Sequence, residues 1–415
     1  MATVAIICEY NPFHSGHEYH IKAIKKEFGN DTCIIGIMSG SFTQRGEIAI
    51  MDKSLRARAA VDHGMSLVLE LPFPFSMSNA EVFAKSAIHI INSIGTVDYL
   101  SFGSENGDLA ELKSTAEAML DKKFEDTLSS LIESGNHKEI GYPALCEMAL
   151  KMAYGDGFVY AEQTPNNILA LEYIKAIISL GSNIKLHTVK REGAAYSSIE
   201  IEKCEHQSAT AIRNSIRDGD ASALRYLPES SKNALLCAIN SGAAPTDEER
   251  ISSAVISSFR LNTDKYGDEI ADCAGGLYNR LRACALRANS IEELIRLSET
   301  KKYTQARLRR AVYYSFFGVT SSDIKELPMY TAILATDGLG RAELKKIKNK
   351  SDFPILTKPS RLDKLPEGAR RQKLLSDRAD AIFEMTKPCP GEAGFSLTVT
   401  PYVKTDDSCE SLTQH

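Results

Sequence analysis

Residues 2–8 (ATVAIIC), 9–13 (EYNPF) and 14–17 (HSGH) follow one another at the start of the chain. Reading them as strand, turn and helix start decides the fold. The first block is a short apolar run rich in β-branched side chains, as a buried strand requires. Pro12 lacks the N–H that a strand ladder needs, so Asn11 and Pro12 end it. From His14 an amphipathic stretch runs to Phe28 and Gly29, which predicts a helix. His14 and His17 are one turn apart, so both rings project from the same helix end. Gly16 lets a ligand approach the backbone. A helix start carries unpaired N–H groups and the positive pole of the helix dipole, which together favour a phosphate. Two imidazoles beside it can donate to phosphoryl oxygens as charge builds there. A surface histidine pair is the plainer alternative. A metal site from His14, His17 and His20 is disfavoured, because i, i+3, i+6 spacing drifts off one face and no Cys or acidic ligand set accompanies it.

Working outward, strands and helices keep alternating. Residues 32–38 (TCIIGIM) read as a second buried strand, and 41–47 (SFTQRGE) as a polar loop. Lys53 to His63 reads as a helix stopped by Gly64, Leu67 to Leu71 as a third strand, and Val97 to Phe102 as a fourth. Ser78 and Glu81 read as the capping box of a helix with core stripe Phe83, Ala87, Ile90, Ile91 and Ile94. The alternation predicts an α/β fold, a Rossmann-like parallel sheet covered by helices, with its ligand loops at the strand carboxyl ends. By that rule 9–17, 39–47 and 103–105 converge.

Residues 106–160 read as a helical insertion without a motif. Thr164 as N-cap and Pro165 at the first position then open a helix whose first turn holds Asn166 and Asn167. Ile184 to Val189 is a fifth strand with Lys190 and Arg191 at its end, and 193–197 is a loop. Ser208 opens a further helix; alone, 208–213 (SATAIR) is an N-cap followed by a solvated arginine. Beyond Ala221 strand signals fade and helical patterns dominate to about residue 320. They include a Ser290–Glu293 capping box and a helix with Leu308, Val312 and Phe316 on one side and Arg307 and Arg310 on the other. Strands are expected near Thr331–Thr336 and Ser396–Val403, and a loose polar tail over 405–415. The expected division is a nucleotide-binding domain over 1–220 and a mainly helical, basic region over 221–415.

The 415 residues, 43% hydrophobic and 25% charged, are ordinary for a globular protein with two or three cores. No apolar run reaches the length of a membrane span, and the start lacks a basic segment followed by an apolar core. A cytoplasmic protein is expected. Nine cysteines without a Cys-x-x-Cys pair argue for reduced thiols rather than a zinc ribbon or disulfide framework. The net charge of −5 hides an asymmetry: 17 Lys+Arg stand against 7 Asp+Glu between Lys301 and Lys373. A basic segment on an acidic protein points to a polyanionic partner.

Several segments together resemble the bacterial tRNA(Met) cytidine acetate ligase family, within the nucleotidyltransferase superfamily. They are 9–17 (EYNPFHSGH), 38–47 (MSGSFTQRGE), 102–105 (FGSE), 165–169 (PNNIL), Lys190–Arg191, 208–213, and 302–304 (KYT) with the arginines after it. The likeness runs from Met1 to about Gly340; Ser15 stands where Asn is more usual. It implies an enzyme that activates acetate with ATP as acetyl-adenylate and then acetylates N4 of the wobble cytidine of elongator tRNA(Met). His14 and His17 would stabilise the reacting α-phosphate. The implied ATP contacts are Ile7, Cys8, Glu9, Tyr10, Asn11, Pro12, Phe13, His14, Gly16, His17, His20, Gly103, Asn166 and Arg191. Ser208, Thr210 and Arg213, similar to a Ser-Thr-x-Ile-Arg element, would hold the β- and γ-phosphates. Mg2+ is expected with ATP. Lys301, Lys302, Arg307 and Arg310 are the expected tRNA contacts; no membrane and no protein partner is implied. Acetate and cytidine come from the likeness alone. Two other classes remain in view. A small-molecule adenylyltransferase acting on a phosphorylated cofactor precursor has no use for the long basic second half. An RNA-binding protein with a vestigial nucleotide site would not need intact His14, Gly16, His17 and Arg213.

Overall fold

The computed structural model describes residues 1–134, 141–162, 164–190, 207–261, 267–358, 360–362 and 365–405. The first apolar run becomes β1 (Thr3–Cys8), the centre of the sheet. It pairs in parallel with β2 (Cys33–Ser39) and β4 (Tyr99–Ser104). β3 (Leu67–Leu71) extends the sheet beyond β2, and β5 (Lys185–Lys190) beyond β4, both in parallel. The order β3-β2-β1-β4-β5 is doubly wound. Its direction reverses between β1 and β4, and a crevice opens at the carboxyl ends of strands at such a switch point.

Side chains alternate across the strands, so each face buries its own cluster. Val4 and Ile6 join Ile21 and Ile24 of α1 (Ser15–Phe28) and the alanines of α2 (Lys53–Asp62). Ala5 faces the other way, onto α3 (Ala80–Ile94) and α7 (Pro165–Ser179). The insertion folds as α4 (Leu109–Met119), α5 (Lys122–Glu133) and α6 (Tyr142–Tyr154), packed in that second cluster. The cap of α3 is Asn79, whose Oδ1 accepts from Val82 N at 3.1 Å. Ser78, expected in that role, instead bonds the Tyr314 hydroxyl at 2.9 Å. Thr164 makes no side-chain cap for α7, although Pro165 does stand in its first turn.

After α8 (Ala209–Arg217) come α9 (Glu229–Asn240), α10 (Ser252–Leu261), α11 (Leu277–Ala285), α12 (Ile291–Ser298), α13 (Gln305–Phe317) and α14 (Ser321–Lys325). Ser290 Oγ accepts from Glu293 N at 3.0 Å at the start of α12, but Glu293 reaches Asn289 N rather than Ser290 N. α10 to α13 bury Phe42, Ile48 and Ala49 of the loop after β2 in their own core. The chain then returns to the sheet. β6 (Thr331–Thr336) lies antiparallel against β3, so both expected regions share one sheet. All six β6 residues are buried, which explains the apolar run 332–335 (AILA) at its centre. α15 (Gly338–Lys350), β7 (Ile355–Leu356), α16 (Glu367–Met385), α17 (Phe395–Thr398) and β8 (Tyr402–Val403) follow. The strand expected at Ser396–Val403 is therefore a helical turn and then a two-residue strand. The 193–197 loop and most of the tail lie outside the described residues.

Candidate active site

The loop after β1 is buried and strained. Tyr10 takes φ 48°, a left-handed backbone that side-chain-bearing residues rarely adopt. Its hydroxyl meets Met65 Sδ at 3.2 Å, and its ring packs edge-on to Phe13 and His17. Asn11 Oδ1 accepts from Ile50 N, and Glu9 Oε1 from Gln44 N, both at 2.8 Å. These bonds tie the β1 loop to the β2 loop. Burial pushes the Glu9 carboxyl up, against the pull of the Gln44 N–H.

α1 begins with a reciprocal cap made of two histidines. Gly16 N donates to His14 Nδ1 at 3.1 Å, and His14 N donates to His17 Nδ1 at 3.2 Å. A backbone N–H can only donate, so each Nδ1 is an acceptor and each neutral ring carries its proton on Nε2. The rings stack with centroids 3.7 Å apart. Both line a cleft at the β1–β4 switch point.

A second helix start faces the same cleft. Ser208 Oγ caps α8 by accepting from Ala211 N at 3.0 Å. Arg213 donates to Asn11 O at 2.9 Å and to Thr210 Oγ1 at 3.2 Å, and it pairs with Glu47. Burial raises Glu47, but Arg213 and Arg309 outweigh it and hold the carboxyl below its ordinary range. Among the described residues, the buried Nε of Arg213 has no hydrogen-bond partner. A phosphate oxygen would satisfy it.

Of the expected ATP contacts, Ile7, Cys8, Glu9, Tyr10, Asn11, His14, Gly16, His17, His20, Gly103, Asn166, Thr210 and Arg213 line this one cleft. Pro12, Phe13 and Ser208 are buried behind its wall. Arg191 lies outside the described residues. Sequence reasoning passed over Arg56, which is 0% exposed. Its guanidinium donates to the carbonyls of Glu9, Ser39, Gly40 and Met51, clamping the ends of β1 and β2. An arginine inside a helical pattern gives no signal of this.

The basic second half divides. Lys301 and Lys302 are exposed. Arg307 bonds the carbonyls of Asp272 and Ala274 while its guanidinium lies over Tyr303. Arg310 is not on an exposed face with it: it is 7% exposed and bonds Asp272 Oδ2 at 2.6 Å. The reason is that α13 is enclosed, by α10 and α12 and by the β2 loop at Gly46. Arg309 forks onto Glu248 at 2.9 Å. α15, which carries much of the remaining positive charge, starts beside Ser66, at the end of the sheet away from the cleft.

The HIGH nucleotidyl transferase family model matches residues 1–393. A tRNA(Met) cytidine acetate ligase of Thermoanaerobacter sp. is 36% identical over 87% of this chain and 89% of that protein. One of Caldanaerobacter subterraneus is 35% identical over 89% and 92%. The chain belongs to the tRNA(Met) cytidine acetate ligase family. A solved structure of the Thermotoga maritima ligase, TmcAL bound with alpha-thio ATP, superposes with a TM-score of 0.88 at 30% identity. It covers 98% of this chain and 100% of that one. Its apo form gives 0.90. That protein thus shares this chain's architecture over nearly its whole length.

Proposed function

We propose that this protein is an ATP-dependent ligase that joins acetate to N4 of the wobble cytidine of elongator tRNA(Met), through acetyl-adenylate, in the cytoplasm. The observation that carries the reading is the pair of Nδ1-capped histidines at the β1–β4 switch point, opposite Arg213 at a second helix start. Family membership and the ATP-analogue-bound relative support it. With the ring proton on Nε2, His14 and His17 donate to α-phosphate oxygens as an acetate oxygen attacks and pyrophosphate leaves. The start of α8, with Thr210 and Arg213, receives the departing phosphates. Among the described residues no cluster of three His, Cys, Asp or Glu could hold a metal. Mg2+ would accompany the nucleotide, held by its phosphates and water. Lys301, Lys302 and Arg307 are the proposed tRNA contacts, while Arg310 holds α13 in place. No helix among the described residues is long and apolar enough to cross a membrane.

Purified protein incubated with ATP, radiolabelled acetate and tRNA(Met) should yield RNA-bound label. Unlabelled RNA from well-folded protein overturns the reading. Pyrophosphate exchange that requires a phosphorylated metabolite and ignores tRNA would install the small-molecule adenylyltransferase in its place.

A further inference from the structure

A line of four hydrogen-bonded side chains leads from the cleft to the surface. His20, which lines the cleft, bonds Ser101 Oγ through Nε2 at 2.7 Å. Ser101 Oγ bonds His187 Nδ1 at 2.9 Å, and His187 Nε2 bonds Glu27 Oε2 at 2.9 Å. The two middle members are enclosed: Ser101 is 0% exposed and His187 9%. The Glu27 side chain is 60% exposed. The residues come from three elements, α1, β4 and β5.

A carboxylate only accepts, so with His187 neutral the line has one direction. Glu27 accepts from His187 Nε2–H, so in the neutral ring His187 Nδ1 accepts the Ser101 O–H. Ser101 Oγ then accepts from His20 Nε2–H, which makes Nδ1 the basic nitrogen of His20. The line therefore starts with a base in the cleft and ends at a carboxylate in water.

Resting on the proposed tRNA acetylation, we propose that His20 takes the proton released in the amide-forming step and that Ser101, His187 and Glu27 conduct it to solvent. In that step the amine nitrogen bonds the acetyl carbon, and the carbon–oxygen bond to the adenylate phosphate breaks. The electron pair leaves with AMP. The amine proton passes to His20 Nδ1. His20 passes its Nε2 proton to Ser101, Ser101 its own to His187 Nδ1, and His187 its Nε2 proton to Glu27 and water. His20 is the catalytic residue of this step; the other three serve it. Adenylate formation joins acetate to ATP without an N–H to break, so it makes no use of the line.

The two half-reactions separate the outcomes. Acetate-dependent ATP–pyrophosphate exchange reads adenylate formation; single-turnover transfer from acetyl-adenylate to tRNA(Met) reads the amide step. Ser101→Ala cuts the line at its buried middle. Glu27→Gln keeps an accepting oxygen at an exposed site but removes the proton acceptor. Both are expected to leave exchange within twofold of the unaltered protein, slow transfer by about tenfold or more, and change the solvent deuterium isotope effect on transfer. Glu27→Asp should recover most of the loss. Transfer rates and isotope effects unchanged in both variants overturn the proposal. So does an equal fall in exchange and transfer, which marks the line as a structural tie between α1 and β5. Unaltered protein that makes adenylate but never acetylates tRNA fails the underlying reading instead.

Discussion

His14 serves structure and chemistry with opposite edges of one ring. Its Nδ1 caps α1 by accepting from Gly16 N, which places the proton of the neutral ring on Nε2. The motif was legible from sequence because His, Gly and His at a strand-to-helix turn bring both features together; the reciprocal cap was not, because Ser, Asp and Asn are the usual cap residues. The two roles come apart by substitution. His14→Asn keeps a side-chain acceptor at the cap, so its melting temperature should stay within a few degrees of the original, while acetate-dependent pyrophosphate exchange falls by about 100-fold or more. His14→Ala should lose the same activity and in addition about 1 kcal/mol of stability from the missing cap. Equal exchange rates for His14→Asn and the unaltered protein would remove the ring from the chemistry.

At the level of elements, the β2 loop and α13 decide how the nucleotide cleft meets the basic half. Gly46, at φ 74°, lies so close to Arg309 and Arg310 that a Cβ there would approach backbone at 2.9 Å. Glu47 of the same loop pairs with Arg213. Its folded pKa lies below the ordinary 4.5, so the ionised carboxylate contributes stability above that value, and the contribution is lost as pH falls through the folded pKa. Thermal melts of Glu47→Gln should therefore fall below those of the original at neutral pH, with the gap closing under acid; a gap that widens below 4.5 contradicts the assignment. On α13 the arginines separate by burial. Arg310→Ala leaves Asp272 without its cation and should cost about 3–5 kcal/mol. Lys301→Ala with Lys302→Ala should leave the melt unchanged and reduce the salt slope of tRNA affinity by about 2. Charge counts alone cannot make this separation, because helical spacing put Arg307 and Arg310 on one side while the enclosing elements come from distant sequence.

Across the whole molecule, legibility followed sequence distance. β1, β2 and β3 were readable because a strand buried on both faces is a largely apolar run. The convergence of 9–17, 39–47 and 103–105 followed from the order of the elements. What spans the chain was hidden: Lys53 is shared by Glu70 and Asp380, the latter 327 residues away, and nothing near Lys53 announces either partner. The same long-range contacts bear on whether 1–220 stands alone. β6 covers the outer edge of β3, pairing Ala335 with Val68 and Ile333 with Leu69. Ser41 donates to Asp380 at 2.6 Å, and Phe42, Ile48 and Phe73 are buried among α10 to α13. A fragment ending at residue 220 would expose that strand edge and that apolar set together, a combination that drives association. The full chain should therefore unfold in one calorimetric transition. The 1–220 fragment should show no sharp melt, bind ATP poorly and aggregate on concentration. A soluble fragment with its own cooperative melt and undiminished ATP affinity would show instead that the nucleotide half holds its sheet without β6, and that the shared strand is a docking contact between two independent units.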